Sequence, residues 1–358
     1  MEFSNFTPFP ANAWENVNSR RKWHATCLVR VKFKLLPASS HSSTPADESQ
    51  RWLLQLDKDQ GDLFAEDQFF GEPETSSVRF ESDYVSYKPH TDIIVNATSY
   101  APDQRPQSGW PCGVKVTTAG GDLVARQLLS ITPPTADYIA VPVRYEYAKG
   151  GVVNIQNQGQ EDQQYHLDMY NPVGAGPYPH AHQAHKQSVL INADNNHSSD
   201  ANIPPGLGFI HRSWKNRLDY AGTYNQEWLE KQHPYPPHDF DHQHHQGAHP
   251  SLIVKNYLKA GAMVQLLNLH RDAPQMYFTL PKYRFLSRVF TNTQKQYQVM
   301  NLDTLIINLN SDKPDEDYAL ASWRSYTPLM ETALKAEAML LSNTTATDRG
   351  RSQPKEHV

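Results

Sequence analysis

Residues 24–36 read HATCLVRVKFKLL, with Leu28, Arg30, Lys32 and Lys34 alternating against Val29, Val31, Phe33 and Leu35. A period of two sends successive side chains to opposite faces, so this run predicts a β-strand with an apolar face toward a core. Its cationic face is read as solvated. The upstream aromatics Phe3, Phe6, Phe9 and Trp14 are read as packing on the same body.

Similar signals recur in both directions. Arg51–Leu56, the run ending Ile93-Ile94-Val95, Gly113–Val116, Asp122–Ile131 and Tyr138–Tyr147 read as strands, with Thr132-Pro133-Pro134 as a break. After Pro250, five short apolar runs follow: Leu252–Val254, Met263–Leu269, Gln275–Leu280, Phe285–Phe290 and Gln298–Leu309. They predict an antiparallel meander or sandwich. The 26 Pro and 17 Gly supply the turns that such a body needs. The expected fold is mainly β, with antiparallel sheets or a sandwich-like body, long irregular loops, a short central helix and a C-terminal helix. One β-rich body is assigned to residues 1–325, its division into two sub-lobes near 150–200 left open. Met330, Ala333, Leu334, Ala338 and Leu341 recur at helical spacing behind Thr327 and Pro328, which predicts a helix over 327–341. A disordered tail is expected over 342–358.

Composition narrows the function classes. A chain of 358 residues is long enough for a full core, and 18 Tyr, 13 Phe and 7 Trp supply bulk despite an apolar fraction of 38%. A net charge of −5 offers no overall attraction to nucleic acid. Cys27 and Cys112 are too few and too far apart for a disulfide framework or a Cys-based zinc site. With no basic-then-apolar leader and no run of about 20 apolar residues, the chain is read as soluble, cytoplasmic and without membrane partners.

Catalytic signatures are missing: there is no GxSxG elbow, no HExxH, and no GxxxxGK[ST] or GxGxxG phosphate loop. The chain is therefore read as a non-enzyme without a cofactor. His238, His242, His244, His245 and His249 crowd one polar stretch near Asp239 and Asp241. Without a rigid partner element they are read as a solvated loop and not as a metal site. His180, His182, His185 and His197 are assigned to another polar surface loop.

Two stretches stand out as candidate sites. Asp83, Lys88 and Asp92 punctuate the approach to the Ile93–Val95 strand and read as a structural ion-pair network. From Asn202 to Phe240, Pro204-Pro205-Gly206-Leu207-Gly208 opens a segment in which Trp214, Arg217, Tyr220, Tyr224 and Trp228 recur three or four residues apart. Thr223 and Gln226 are read as the capping pair of a short helix. These aromatics and cations read first as large anchors pinning the segment onto a core and, alongside that, as interface hot spots. With Asp239 and Phe240 they form the candidate partner surface.

Taken together, several of these segments resemble a family. Tyr87-Lys88-Pro89-His90-Thr91-Asp92-Ile93-Ile94-Val95, Ala101-Pro102, Tyr147-Ala148-Lys149-Gly150-Gly151, Asn171-Pro172-Val173-Gly174, Pro205-Gly206-Leu207-Gly208 and Trp214-Lys215-Asn216-Arg217 carry it. Gly222-Thr223-Tyr224-Asn225-Gln226-Glu227-Trp228 and Pro236-Pro237-His238-Asp239-Phe240-Asp241 extend it. Their order and spacing over residues 10–290 resemble a bacterial type VI secretion accessory family long filed as a domain of unknown function. The resemblance implies an adaptor or chaperone that holds a toxic effector, often through a PAAR-like N-terminal domain, and helps load it onto the spike protein. Lys149 and the character of the His-rich loop after Asp239 depart from the family pattern. A carbohydrate-binding or hydrolytic β protein and a structural assembly subunit stand as alternatives.

Overall fold

The computed structural model describes residues 1–38, 51–135, 137–155, 164–175, 189–193, 202–310, 312–313 and 316–344. The strands in chain order are β1 (Glu2–Phe6), β2 (Ala11–Val17), β3 (Trp23–Pro37), β4 (Trp52–Leu56), β5 (Gln68–Phe69), β6 (Val78–Phe80), β7 (Thr91–Asn96) and β8 (Thr98–Tyr100). They continue as β9 (Trp110–Thr117), β10 (Leu123–Ile131), β11 (Ala140–Pro142), β12 (Val152–Ile155), β13 (Gln164–Leu167), β14 (Ile191–Ala193) and β15 (Ile253–Val254). The last are β16 (Met263–Leu267), β17 (Gln275–Thr279), β18 (Lys282–Phe290), β19 (Lys295–Val299), β20 (Asn301–Asn308), β21 (Tyr318–Pro328) and β22 (Lys335–Thr344). Two short helices, α1 (Lys215–Leu218) and α2 (Gln226–Lys231), interrupt them.

The fold is mainly β, as the alternation predicts. The largest sheet runs β15-β7-β20-β21-β3-β2, with β4 also on β3; a five-stranded sheet runs β14-β10-β9-β16-β17, and a four-stranded one β1-β22-β18-β19. Pairing is antiparallel except for β20 with β7 and β1 with β22. The odd-numbered face of β3 meets the four-stranded sheet. Phe33 packs on Tyr283 at 5.4 Å, Phe9 on Phe285 at 5.9 Å and Phe285 on Trp323 at 5.1 Å. Among them the hydroxyls of Ser287 and Ser325 bond at 2.8 Å. This is sandwich packing, two inner faces interlocking around one core.

On the even-numbered face of β3 Lys34 is exposed as expected, but the part at Leu28 and Arg30 departs from the expectation of a solvated surface. Leu28 and Arg30 are buried, and the irregular segment between β4 and β7 lies against them. Arg30 Nη1 donates to Asp83 at 2.6 Å, and Thr26 Oγ1 donates to the Ser86 carbonyl at 2.7 Å. Alternation identifies two faces; it does not say that a loop will cover the polar one. Cys27 and Cys112 are both buried, which pushes each thiol up to about 12 and keeps it protonated.

The C-terminal helix over 327–341 is corrected outright. Thr327 and Pro328 end β21, and Lys335–Thr344 form β22, paired to β1 and β18. Ala336 and Ala338 are fully buried, while Met330, Leu334 and Leu341 of the supposed helical stripe point to solvent. Ala, Glu, Met and Leu favour helices locally, but the strand buries small alanines against the core, and tertiary pairing overrides propensity. Residues 342–344, assigned to the tail, belong to this strand; the rest of the tail lies outside the described residues, as do His180, His182, His185 and His197.

Candidate partner-binding surface

The platform begins with a buried charge lattice on the loop-covered face of the largest sheet. Lys88 Nζ donates to Asp92 at 2.7 Å and to the Thr304 hydroxyl at 3.1 Å. Asp92, fully buried at the start of β7, also accepts from Gln246 Nε2 at 2.6 Å and from the Gly247 amide at 2.9 Å. It thereby ties the His-rich loop to the sheet. Asp83 pairs with Arg30 and not with Lys88, while Arg324 Nε donates to Asp303 at 2.9 Å and its Nη1 to the Val85 carbonyl at 2.9 Å. Asp83, Lys88 and Asp92 thus sit in one bracing network whose other members, Arg30, Asp303 and Arg324, come from distant strands.

On this frame the segment from Asn202 to Phe240 is pinned by two residues of the candidate partner surface. Trp214 and Arg217 are each 4% exposed. Trp214 packs edge-on against Tyr145 at 5.2 Å in a small cluster with Ile210. Gly206 is needed here because a Cβ on it would strike the Tyr145 ring. Arg217 Nη1 donates to Glu81 and to the Ile210 carbonyl at 2.8 Å, and its Nε to the His244 carbonyl at 2.8 Å. Trp214 and Arg217 are therefore internal anchors and offer no face to a partner in this conformation. What decides this is Glu81, whose pairing with Arg217 no local spacing announces.

Two other motifs of the sequence meet nearby. Asn171 Nδ2 donates to the carbonyls of Tyr145 at 3.0 Å and Lys149 at 2.8 Å, while the Gly151 amide donates to the Asn171 carbonyl at 2.7 Å. Gly150 has φ of +147°, and a Cβ there would strike Asn171, so this close approach requires glycine.

The exposed part lies farther out. Tyr220, Tyr224, Leu218 and Leu229 are exposed, and the half-buried Trp228 stacks edge-on with Tyr224 at 4.7 Å. Trp228 Nε1 donates to the Tyr235 carbonyl at 2.9 Å, which fixes its ring. The cap of α2 is Asn225, whose side chain accepts from the Trp228 amide at 2.9 Å; Thr223 is not the cap. Thr223 instead donates through its amide and hydroxyl to Asp239, at 2.9 and 2.7 Å. Those bonds, from the amide and then the hydroxyl, hold the Asp239 carboxyl below its usual range. Gln232, a residue that carried no signal, is buried and joins Ser19 and Pro236 through its amide.

Phe240 is half-buried, ringed by His242, His244 and His245 at 5.4 to 5.7 Å. The expected solvated loop is thus corrected for His242, His244, His245 and His249, which are half-buried, while His238 is exposed as expected. Burial lowers the imidazole pKa of His242 and His244, and that of His245 well below its ordinary value. His24 stacks on Tyr326 at 4.2 Å and is lowered to about 4 by burial and by His242; His249 is lowered to about 4 by burial. Among the described residues no group of three or more His, Cys, Asp or Glu is placed to hold a metal ion, and no helix is long and apolar enough to cross a membrane.

No curated protein and no solved structure matches the chain. A family model described as "Uncharacterized protein conserved in bacteria (DUF2169)" matches residues 22–324, a span that contains the charge lattice, the anchored segment and most of the three large sheets. The chain belongs to that bacterial family.

Proposed function

We propose that this protein is a cytoplasmic adaptor or chaperone of type VI secretion, which binds a toxic effector through a PAAR-like domain and helps load it onto the spike. The observation that carries the reading is the platform of Tyr220, Tyr224 and Leu229, exposed beside the half-buried Trp228 and held by buried anchors. Rigid aromatic surface on a braced loop suits recognition, because little side-chain entropy is lost when a partner covers it. Asp239 and Phe240 contribute by closing the loop and by packing behind it.

The test is co-purification of the tagged protein with the product of each neighbouring gene, scored by size-exclusion chromatography. The expected result is a stoichiometric complex with an effector carrying a PAAR-like domain. Tyr224→Ala combined with Leu229→Glu is expected to weaken that complex by about 2 kcal/mol, roughly thirtyfold in Kd, with a native circular dichroism spectrum. Separate elution of every neighbour from the folded protein would overturn the adaptor reading.

A second reading rests on a cavity of about 410 Å³ beside the lattice, where Tyr87, Tyr257, Tyr326 and His242 face Gln298 and Asn301. Aromatic walls with amide groups suit a small polyhydroxylated ligand, which is the carbohydrate-binding alternative. It gains ground over the adaptor if sugars raise Tm in the native protein and not in Tyr326→Ala.

A further inference from the structure

The outer face of the four-stranded sheet has an ordered pattern of its own. Residues directly opposite one another share a face, so the register can be read across the strands. Phe6, Met339, Leu286 and Val299 form one apolar row across β1, β22, β18 and β19. Ser4, Glu337, Arg288 and Tyr297 form the next, followed by Glu2, Lys335, Phe290 and Lys295. Phe6 is 59% exposed, Tyr297 56% and Val299 47%, so this face is open. At its margin β19 is an edge strand among the described residues, paired to β18 on one side.

The charge of the face narrows what fits it. Arg288, Lys295 and Lys335 share it with Lys282 and Arg284 on the same side of β18, against two acids, Glu2 and Glu337. Glu337 is already paired to Arg288 and Lys335. A cationic face within a chain of net charge −5 disfavours docking of a second copy face to face, because like charges would meet across the interface. Nor do the chain's last residues supply the complement, since Arg349, Arg351 and Lys355 outnumber Asp348 and Glu356.

We propose that the edge of β19 left unpaired among the described residues, flanked on its outer face by Lys295, Tyr297 and Val299, accepts an extended acidic segment of a partner protein, added to the sheet as a further strand. Edge addition supplies main-chain hydrogen bonds, while alternate side chains lie beside Val299, Tyr297 and Lys295, with the remaining cations of the face behind them. The proposal concerns a different surface from the loop platform and stands or falls separately from it.

The full-length protein is titrated into a fluorescently labelled synthetic peptide that alternates glutamate with valine, read by polarisation. The same peptide with lysine for glutamate, and a version N-methylated along its pairing edge, serve as controls. Expected are saturable binding of the glutamate peptide, at least tenfold weaker binding of both controls, and at least tenfold weakening by Lys295→Glu in a protein with native circular dichroism. Absence of binding by the glutamate peptide, equal binding by the lysine peptide, or survival of binding after N-methylation would each overturn the proposal.

Discussion

Asp92→Ala is expected to lower the stability of the whole body by about 3 to 5 kcal/mol, the usual cost of stranding one partner of a buried ion pair. The carboxylate is fully buried and accepts from Lys88, the Gln246 side chain and the backbone amides of Gly247 and Ala248. Removing it leaves the Lys88 ammonium in a site that is 5% exposed. Gln246, whose Oε1 accepts the His90 amide at 3.0 Å, would lose its hold on the sheet at the same time. Urea unfolding at pH 7 measures the effect as a lower midpoint at unchanged slope. Replacing both partners, Lys88→Met with Asp92→Leu, is expected to recover part of the loss, because no charge is then left uncompensated. A loss under about 1 kcal/mol for Asp92→Ala would refute the bracing role assigned to this carboxylate.

Stability is expected to fall steeply as the pH drops from about 6.5 toward 4. His24 and His249 have imidazoles lowered from 6.5 to about 4 in the folded protein. Between those values the unfolded chain binds more protons than the native one, so unfolding gains as pH falls. Their stabilising effect is complete above the unfolded value near 6.5 and is lost as pH falls through the folded value. Each shift corresponds to about 3 kcal/mol at 1.36 kcal/mol per pH unit. Two such groups approach the whole stability of a typical domain, and His242, His244 and His245, lowered mainly by burial, act in the same direction. The urea midpoint should be level above pH 7 and decline below 6.5. His24→Phe, which keeps a ring against Tyr326, should make that decline shallower. A midpoint that stays level from pH 6.5 to 4.5 would count against burial of these rings as neutral groups.

The strands were legible wherever alternation ran undisturbed. Trp23–Pro37, Leu123–Ile131 and Met263–Leu267 follow the pattern nearly to the residue. Within Tyr138–Tyr147 the strand is confined to Ala140–Pro142, with a 3-10 turn at Tyr145–Tyr147. The last strand was misread because Lys335–Leu341 satisfies a helical spacing and a period of two at once, and its pairing partner β1 lies at the other end of the chain. At the candidate surface, residue type allows Trp214 and Arg217 to be anchors and contacts alike. Burial separated them from Tyr220 and Tyr224, because Tyr145 and Glu81 arrive from remote segments to cover them.

By itself the sequence determined the β class, the placement of most strands and the identity of the segments that carry the loops, since these depend on side-chain alternation and on Pro and Gly within a few residues. The tertiary structure alone decided which face of each strand is covered, which of the clustered aromatics stay exposed, and that burial lowers the pKa of His242, His244, His245 and His249. Those outcomes depend on contacts such as Lys88 with Thr304 and Arg217 with Glu81, joining segments more than a hundred residues apart. Such pairings leave no periodic trace in the chain, because no local spacing encodes which distant segment will arrive.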